Sequence, residues 1–343
     1  ATPSAIQLQA LNSAKVNHNY FKDIFYAGIL LDNINTVEVI GNTIENTGYQ
    51  GIQLANTIGN AVVENNSIKN ANYISQESDR GAIRLYGSDF TGNVVIRHNT
   101  IQKGYTGIAV RNGGDITGKS ILFTNNSITQ LDGGYAAYNG AIAGTLNAKG
   151  NWWGSADPTV IATKISGNVD FDPYIGKPEP LPVTNATPQV TYPTAGATLN
   201  FTTLPAGTNA TVTVTRTESN PTPVPVPATA GDVAPVFLQI QAPALVNNTF
   251  EVTITLDVSN IPNFSADTKV LYLANGATVW TAVTGTYDPV AKTFTFTTTH
   301  FTDFAFVNPT NPIDLFVTKD AAVPATNLEW FPSANDNTFG IDD

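Results

Sequence analysis

The stretch VEVIGNTI spans residues 37–44, and its pattern returns five more times in the first half of the chain. The other copies are AKVNHNYF (14–21), AVVENNSI (61–68), VVIRHNTI (94–101), ILFTNNSI (121–128) and LNAKGNWW (146–153). One column is always asparagine: Asn19, Asn42, Asn66, Asn99, Asn126 and Asn151, at intervals of 23, 24, 33, 27 and 25 residues. A second apolar run falls between the copies, as AIQL from Ala5, GILL from Gly28, GIQL from Gly51, GAIRL from Gly81, GIAV from Gly107 and GAIAG from Gly140. Two short strands per repeat at this period predict a solenoid whose coils stack and bury a continuous apolar interior.

Strand alternation orients the repeat: Val37, Val39 and Ile44 point inward while Glu38 and Thr43 point outward. The asparagine column then sits at a bend, facing in. An amide both donates and accepts, so stacked asparagines can form a ladder from coil to coil. The column before it reads His18, Gly41, Asn65, His98, Asn125 and Gly150, all types that tolerate positive φ. This predicts a left-handed corner in every coil and gives two of the three histidines a backbone role instead of a catalytic or metal-binding one. The Asn-Asn-Ser steps at Asn65 and Asn125 also read as glycosylation acceptors, but the repeat already accounts for them.

On these residues the first half resembles the right-handed parallel β-helix repeat family of bacterial cell surfaces, which implies a solenoid over 1–176. The closing sequence NWWGSADP, followed by GNVDFDPY, is similar to the ends of such domains. Trp152 and Trp153 are thereby expected to form the solenoid cap, with Trp153 plugging the last coil and Trp152 left free to face a partner. The coil beginning at Ala5 is expected to present an open strand edge.

Residues 177–188, KPEPLPVTNATP, read as a proline-rich extended linker. From 189 to 310 the chain is Thr/Val-rich, with strand-like runs such as ATVTVTR, FEVTITLDV and TFTFTTTHFTDFAFV between turn signals. This pattern predicts an antiparallel β-sandwich and resembles the Ig-like sandwiches of bacterial surface proteins. The Pro-rich NPTPVPVPATAG from Asn220 reads as a long loop. Residues 311–343 form a tail or an incomplete further domain, and PIDLFVTKD is a candidate assembly strand. The fold class is all-β throughout.

Composition limits function. Charged residues are 13% of the 343 and the formal net charge is −11, which disfavours a nucleic-acid partner. There is no cysteine, so disulfides, thiolate metal sites and thiol redox chemistry are excluded. There is also no methionine, which marks the chain as a processed product or a piece of a longer precursor. No run is long and apolar enough for a membrane span. The polar, acidic, Thr/Asn-rich balance reads as an extracellular protein at the cell surface of a prokaryote. No cofactor or metal is expected, and no motif indicates structural calcium. Copies of itself or other surface proteins are the expected partners, with a glycan as a further candidate.

The resemblance also raises catalysis, because the β-helix family includes pectate lyases, polygalacturonases and tailspike glycosidases. Lyases of this kind need carboxylates that hold calcium and an arginine base; hydrolases need carboxylates roughly 5–9.5 Å apart. The outward rows read Gln7, Leu30, Gln53, Arg84, Ala109 and Glu38, Val62, Val95, Leu122, without paired carboxylates. The densest charged segment, ESDRGAIRL, offers Asp79, Arg80 and Arg84 as candidates for polysaccharide cleavage, although a surface salt-bridge cluster is the ordinary reading. His300, Phe301 and Thr302 resemble a step at which some sandwiches cut their own backbone, the hydroxyl attacking the preceding carbonyl with imidazole as base. The expectation is an extracellular structural or adhesive surface protein, with a subunit of a surface layer or fibre as one form of it and a secreted polysaccharide lyase or glycoside hydrolase as the rival.

Overall fold

The computed structural model describes residues 4–87, 89–227, 232–261 and 263–309. The segment 311–343, with its assembly-strand reading, lies outside the described residues, as does part of the loop that follows Asn220.

The first half is a parallel solenoid with three faces. The first face starts with the opening halves of Ile6–Asn17, Ile29–Ile40 and Ile52–Glu64 and continues through Ile83–Tyr86, Ile108–Val110, Ala137–Asn139 and Ile165–Ser166. The second face takes the closing halves of those long strands, then Val94–Arg97, Ile121–Thr124, Leu146–Asn147 and Val169–Asp170. The third is Tyr20–Ile24, Thr43–Thr47, Ser67–Ala71, Thr100–Gln102 and Ser127–Thr129. The eight-residue repeat therefore straddles a corner and supplies two faces. Inward rows such as Val39, Val63, Ile96 and Phe123, or Ile44, Ile68, Ile101 and Ile128, form one continuous core.

Each coil turns at residues in left-handed backbone. His18, Gly41, Asn65, His98, Asn125 and Gly150 all have positive φ, between 53° and 70°. Two further columns share the conformation: Ala10, Asn33 and Asn56 between the first and second faces, and Asp23, Asn46, Asn70, Lys103 and Gln130 at the end of the third.

The structure corrects one column. The run from Gly107 continues into 136–139, with Ile108 opposite Ala137 and Ala109 opposite Tyr138, so GAIAG from Gly140 is not its next copy. Glycine opens this face where coils approach closely: a Cβ at Gly28 would lie 2.7 Å from the Gly51 carbonyl oxygen. Ala82 and Ala136 occupy the same column in other coils, so the letter match at Gly140 misled.

The second half is an antiparallel sandwich. One sheet orders Glu179–Thr184, Asn209–Thr217, Asp232–Gln241, Asp303–Asn308, Lys269–Leu273 and Thr281–Ala282; the other orders Gln189–Tyr192, Ala197–Thr203, Glu251–Asp257, Thr293–Thr298 and Thr286–Asp288. The linker expected over 177–188 is thus largely a strand, since Glu179–Thr184 pairs with Asn209–Thr217 along its length. It is an edge strand, where Pro180 and Pro182 cost no ladder bond on the open side. Alternation fills the core with Leu199, Phe201, Val252, Ile254, Phe296 and Phe304. Threonines cover the outside of the second sheet, bonding in pairs such as Thr191 with Thr198 and Thr255 with Thr295.

Solenoid and sandwich belong to one compact unit. The Gly176 amide donates to the Arg216 carbonyl at 2.6 Å, and buried Arg216 donates from Nη2 to the Asn260 carbonyl at 3.1 Å. The Asn260 side chain in turn meets His98 of the solenoid, its Oδ1 lying 2.6 Å from Nε2.

Candidate functional site

The asparagine column is joined rung by rung. Asn19 Nδ2 donates to Asn42 Oδ1, Asn42 to Asn66, Asn66 to Asn99, Asn99 to Asn126 and Asn126 to Asn151, at 2.8–3.0 Å. Each acceptor oxygen also takes the backbone amide of the preceding rung, as Asn99 Oδ1 takes that of Asn66 at 3.0 Å. Five of the six side chains are buried, so these bonds satisfy groups that water cannot reach.

The tryptophans close the same column. Trp153 points inward and is fully buried with Ile161 and Tyr174 against the last coil. Ile161 arrives on the short helix Pro158–Thr163, which Asp157 caps by accepting from the Thr159 amide at 2.8 Å while Pro158 opens the first turn. The expectation that Trp152 is free fails: it is only 7% exposed. The returning chain covers it, with the Ile175 amide bonded to the Asn151 carbonyl and Gly176 packed against the indole so closely that a Cβ would lie 2.8 Å from Cζ3.

The outer wall of the first face carries the charged candidates. Gln53, Arg84, Ala109 and Tyr138 lie in one row on successive coils. Residues 72–81 leave the coil as an insertion, which brings Asp79 over the wall to receive Arg84 Nη2 at 2.7 Å. Arg84 is buried and Asp79 part-buried, with side-chain exposures of 5% and 13%, so within the expected surface salt-bridge cluster this bridge is a covered one, whereas Glu77–Arg80 lies at the surface. Burial pushes the Arg84 guanidinium below its ordinary pKa, and Asp79 works against that shift. Arg80 does not join them; its Nε bonds Glu77 at 2.8 Å and its guanidinium lies over Tyr49. Two cations lie over the Tyr86 ring, Arg84 at 4.6 Å and Arg111 at 4.1 Å from its centre. Beyond them the Tyr138 hydroxyl donates to Asn112 Oδ1 at 2.6 Å.

Residues 2–128 match the family described as right handed beta helix region. The solenoid is a right-handed β-helix. No curated protein and no solved structure matches the chain. The β-helix family accommodates surface proteins and polysaccharide-degrading enzymes alike.

Within this β-helix, Tyr86, Arg111 and Tyr138 were not singled out from the sequence. Register would have found them: Tyr86 is two residues beyond Arg84 on one strand, Arg111 continues its row, and Tyr138 enters the Arg84 row once 136–139 is aligned. Among the described residues, no three His, Asp or Glu side chains converge as a metal-ligand set, and no helix is long and apolar enough to cross a membrane.

His300, Phe301 and Thr302 lie away from the β-helix, at the point where TFTFTTTHFTDFAFV crosses from one sheet to the other. The run is therefore two strands, Thr293–Thr298 and Asp303–Asn308. His300 Nδ1 is 3.1 Å from Thr298 Oγ1 and its ring packs on Tyr272. Phe301 packs into the core, and the buried Thr302 hydroxyl makes no hydrogen bond among the described residues. The imidazole is therefore not set as a base on the hydroxyl that self-cleavage would use.

Proposed function

We propose that this chain is an extracellular structural or adhesive surface protein, with the first face of the β-helix as its contact wall. The covered Asp79–Arg84 pair carries the reading. An arginine that closes a 2.7 Å ion pair and stacks on Tyr86 is a fixed part of the wall, holding the 72–81 insertion against the coil. What the wall offers beyond it is aromatic and hydrogen-bonding surface at Tyr86, Arg111, Asn112 and Tyr138, a combination suited to holding a glycan or another protein. Copies of the chain or other surface proteins are the partners this reading favours.

The rival reading is a polysaccharide lyase or glycoside hydrolase; for a lyase Arg84 is the candidate base, its guanidinium pushed below its ordinary pKa by burial while the ion pair with Asp79 opposes that shift. Incubation with a panel of acidic polysaccharides, with and without calcium, separates the two. Chains that remain uncut while the protein is retained on them support the adhesive reading. Cleavage that disappears in Arg84→Ala overturns it.

A further inference from the structure

A cleft of about 570 Å³ lies between the flank of the β-helix and the sandwich, away from the contact wall. Its size falls within the roughly 300–1,000 Å³ of small-molecule sites, which favour the junctions between folded lobes. The β-helix side is the left-handed corner and the start of the third face, with Asn65, Ser67 and Thr100 lining it; the sandwich side brings Phe264, Tyr287 and Lys292. Ser67 and Thr100 are register partners on adjacent coils, whose strands lie about 4.7–4.9 Å apart, so both side chains belong to one wall of the cleft.

Charge selects among ligands. Glu64 also lines the cleft, but its carboxylate is matched by Arg97 at 3.0 Å and by His98 Nδ1, which donates at 3.2 Å. The same His98 reaches Asn260 through Nε2, so this clamp fixes the separation of the two walls. Lys292 makes no ion pair among the described residues and is exposed. It leaves the cleft with an unmatched positive charge in a chain whose formal net charge is −11. The half-buried Tyr287 ring, 5.2 Å from Phe264, supplies an aromatic surface next to that charge.

We propose that the cleft binds a short acidic sugar. The carboxylate pairs with Lys292, a pyranose ring lies on Tyr287, and the sugar hydroxyls bond Asn65, Ser67 and Thr100. Each serine or threonine hydroxyl can donate once and accept twice, as a polyol requires.

Calorimetric titration of the full chain with a glucuronic acid trimer, and with the uncharged glucose trimer of the same linkage, tests this. The expected result is saturable one-to-one binding of the acidic trimer, at least tenfold tighter than the neutral one, and weakened tenfold or more in Lys292→Gln. Tyr287→Ala should weaken both sugars. Because that change touches the sandwich core, Lys292→Gln is the deciding variant, with its folding checked by circular dichroism. No binding of the acidic trimer, equal binding of the two trimers, or acidic binding untouched by Lys292→Gln would each overturn the proposal. A ligand held on the contact wall would give the last of these, so failure here is distinguishable from failure of the adhesive reading.

Discussion

In the β-helix, paired strands are parallel and belong to consecutive coils, and the interior carries a file of buried amides; in the sandwich, paired strands are antiparallel and the core between the sheets is built on aliphatic and aromatic side chains with no such file. A coil touches only the coils on either side, so the β-helix is stabilised by a sum of neighbour terms. The sandwich closes over pairings such as Val233 with Val307, which tie distant segments into one cooperative core. The difference teaches where damage should stay local and where it should spread.

Large truncations in each half should break or sharpen that contrast most. Trp153 and Phe304 are both buried, and changing either to alanine should cost about 3–5 kcal/mol. In urea unfolding followed by hydrogen exchange, Trp153→Ala should expose amides in the last coils and their helix, whereas Phe304→Ala should expose amides across both sheets. Uniform exposure of the β-helix by Trp153→Ala would refute the neighbour-limited picture.

Smaller is the ladder. Asn99→Ala removes an oxygen that accepts from the Asn66 backbone and side chain, and each buried group so orphaned costs about 1–3 kcal/mol. Asn19→Ala, at a part-exposed rung, should cost less, and equal costs measured by urea denaturation would argue against the role of burial. Gly150→Ala places a side chain at φ +70°, and the roughly 1–2 kcal/mol of left-handed strain should appear as a lower unfolding midpoint.

The smallest expected effect is at the joint between the halves. Burial raises the Glu64 carboxyl, but the hydrogen bonds from Arg97 and His98 outweigh it and leave the pKa below its ordinary value. A carboxyl shifted down stabilises the fold above its unfolded-state pKa, and that contribution disappears as the pH falls through the folded one. Wild type should therefore lose stability relative to Glu64→Gln as a urea titration series moves below the ordinary glutamate range. Parallel pH curves for the two proteins would contradict this.

The same contrast explains what could be read from the amino acids. Periodicity exposed the β-helix because one column of asparagines and one of His, Gly and Asn recur with every coil. It did not reveal that Arg84 and Trp152 are covered, because burial there depends on chain that leaves the repeat, the insertion at 72–81 and the return at 173–176. It also misplaced Gly140, where residue type coincided but hydrogen-bond register did not. In the sandwich, prolines concealed the edge strand Glu179–Thr184, since a proline-rich segment and an edge strand with one free side look alike in sequence. The wall residues Tyr86, Arg111 and Tyr138 become visible only when register aligns separate coils.

The amide file has one more property. Every Nδ2 from Asn19 to Asn126 donates to the next asparagine toward the C-terminus and none to the preceding asparagine, the backward bonds of Asn42 to Asn126 going to backbone carbonyls instead. The carboxamide dipoles consequently add head to tail, and the β-helix has an electrical arrow along its axis as well as a handedness around it. Any coil placed against it in the same sense would extend the arrow. A coil placed in the opposite sense would set oxygen against oxygen or amide against amide, so the buried asparagines act as a test of direction on whatever stacks beside them.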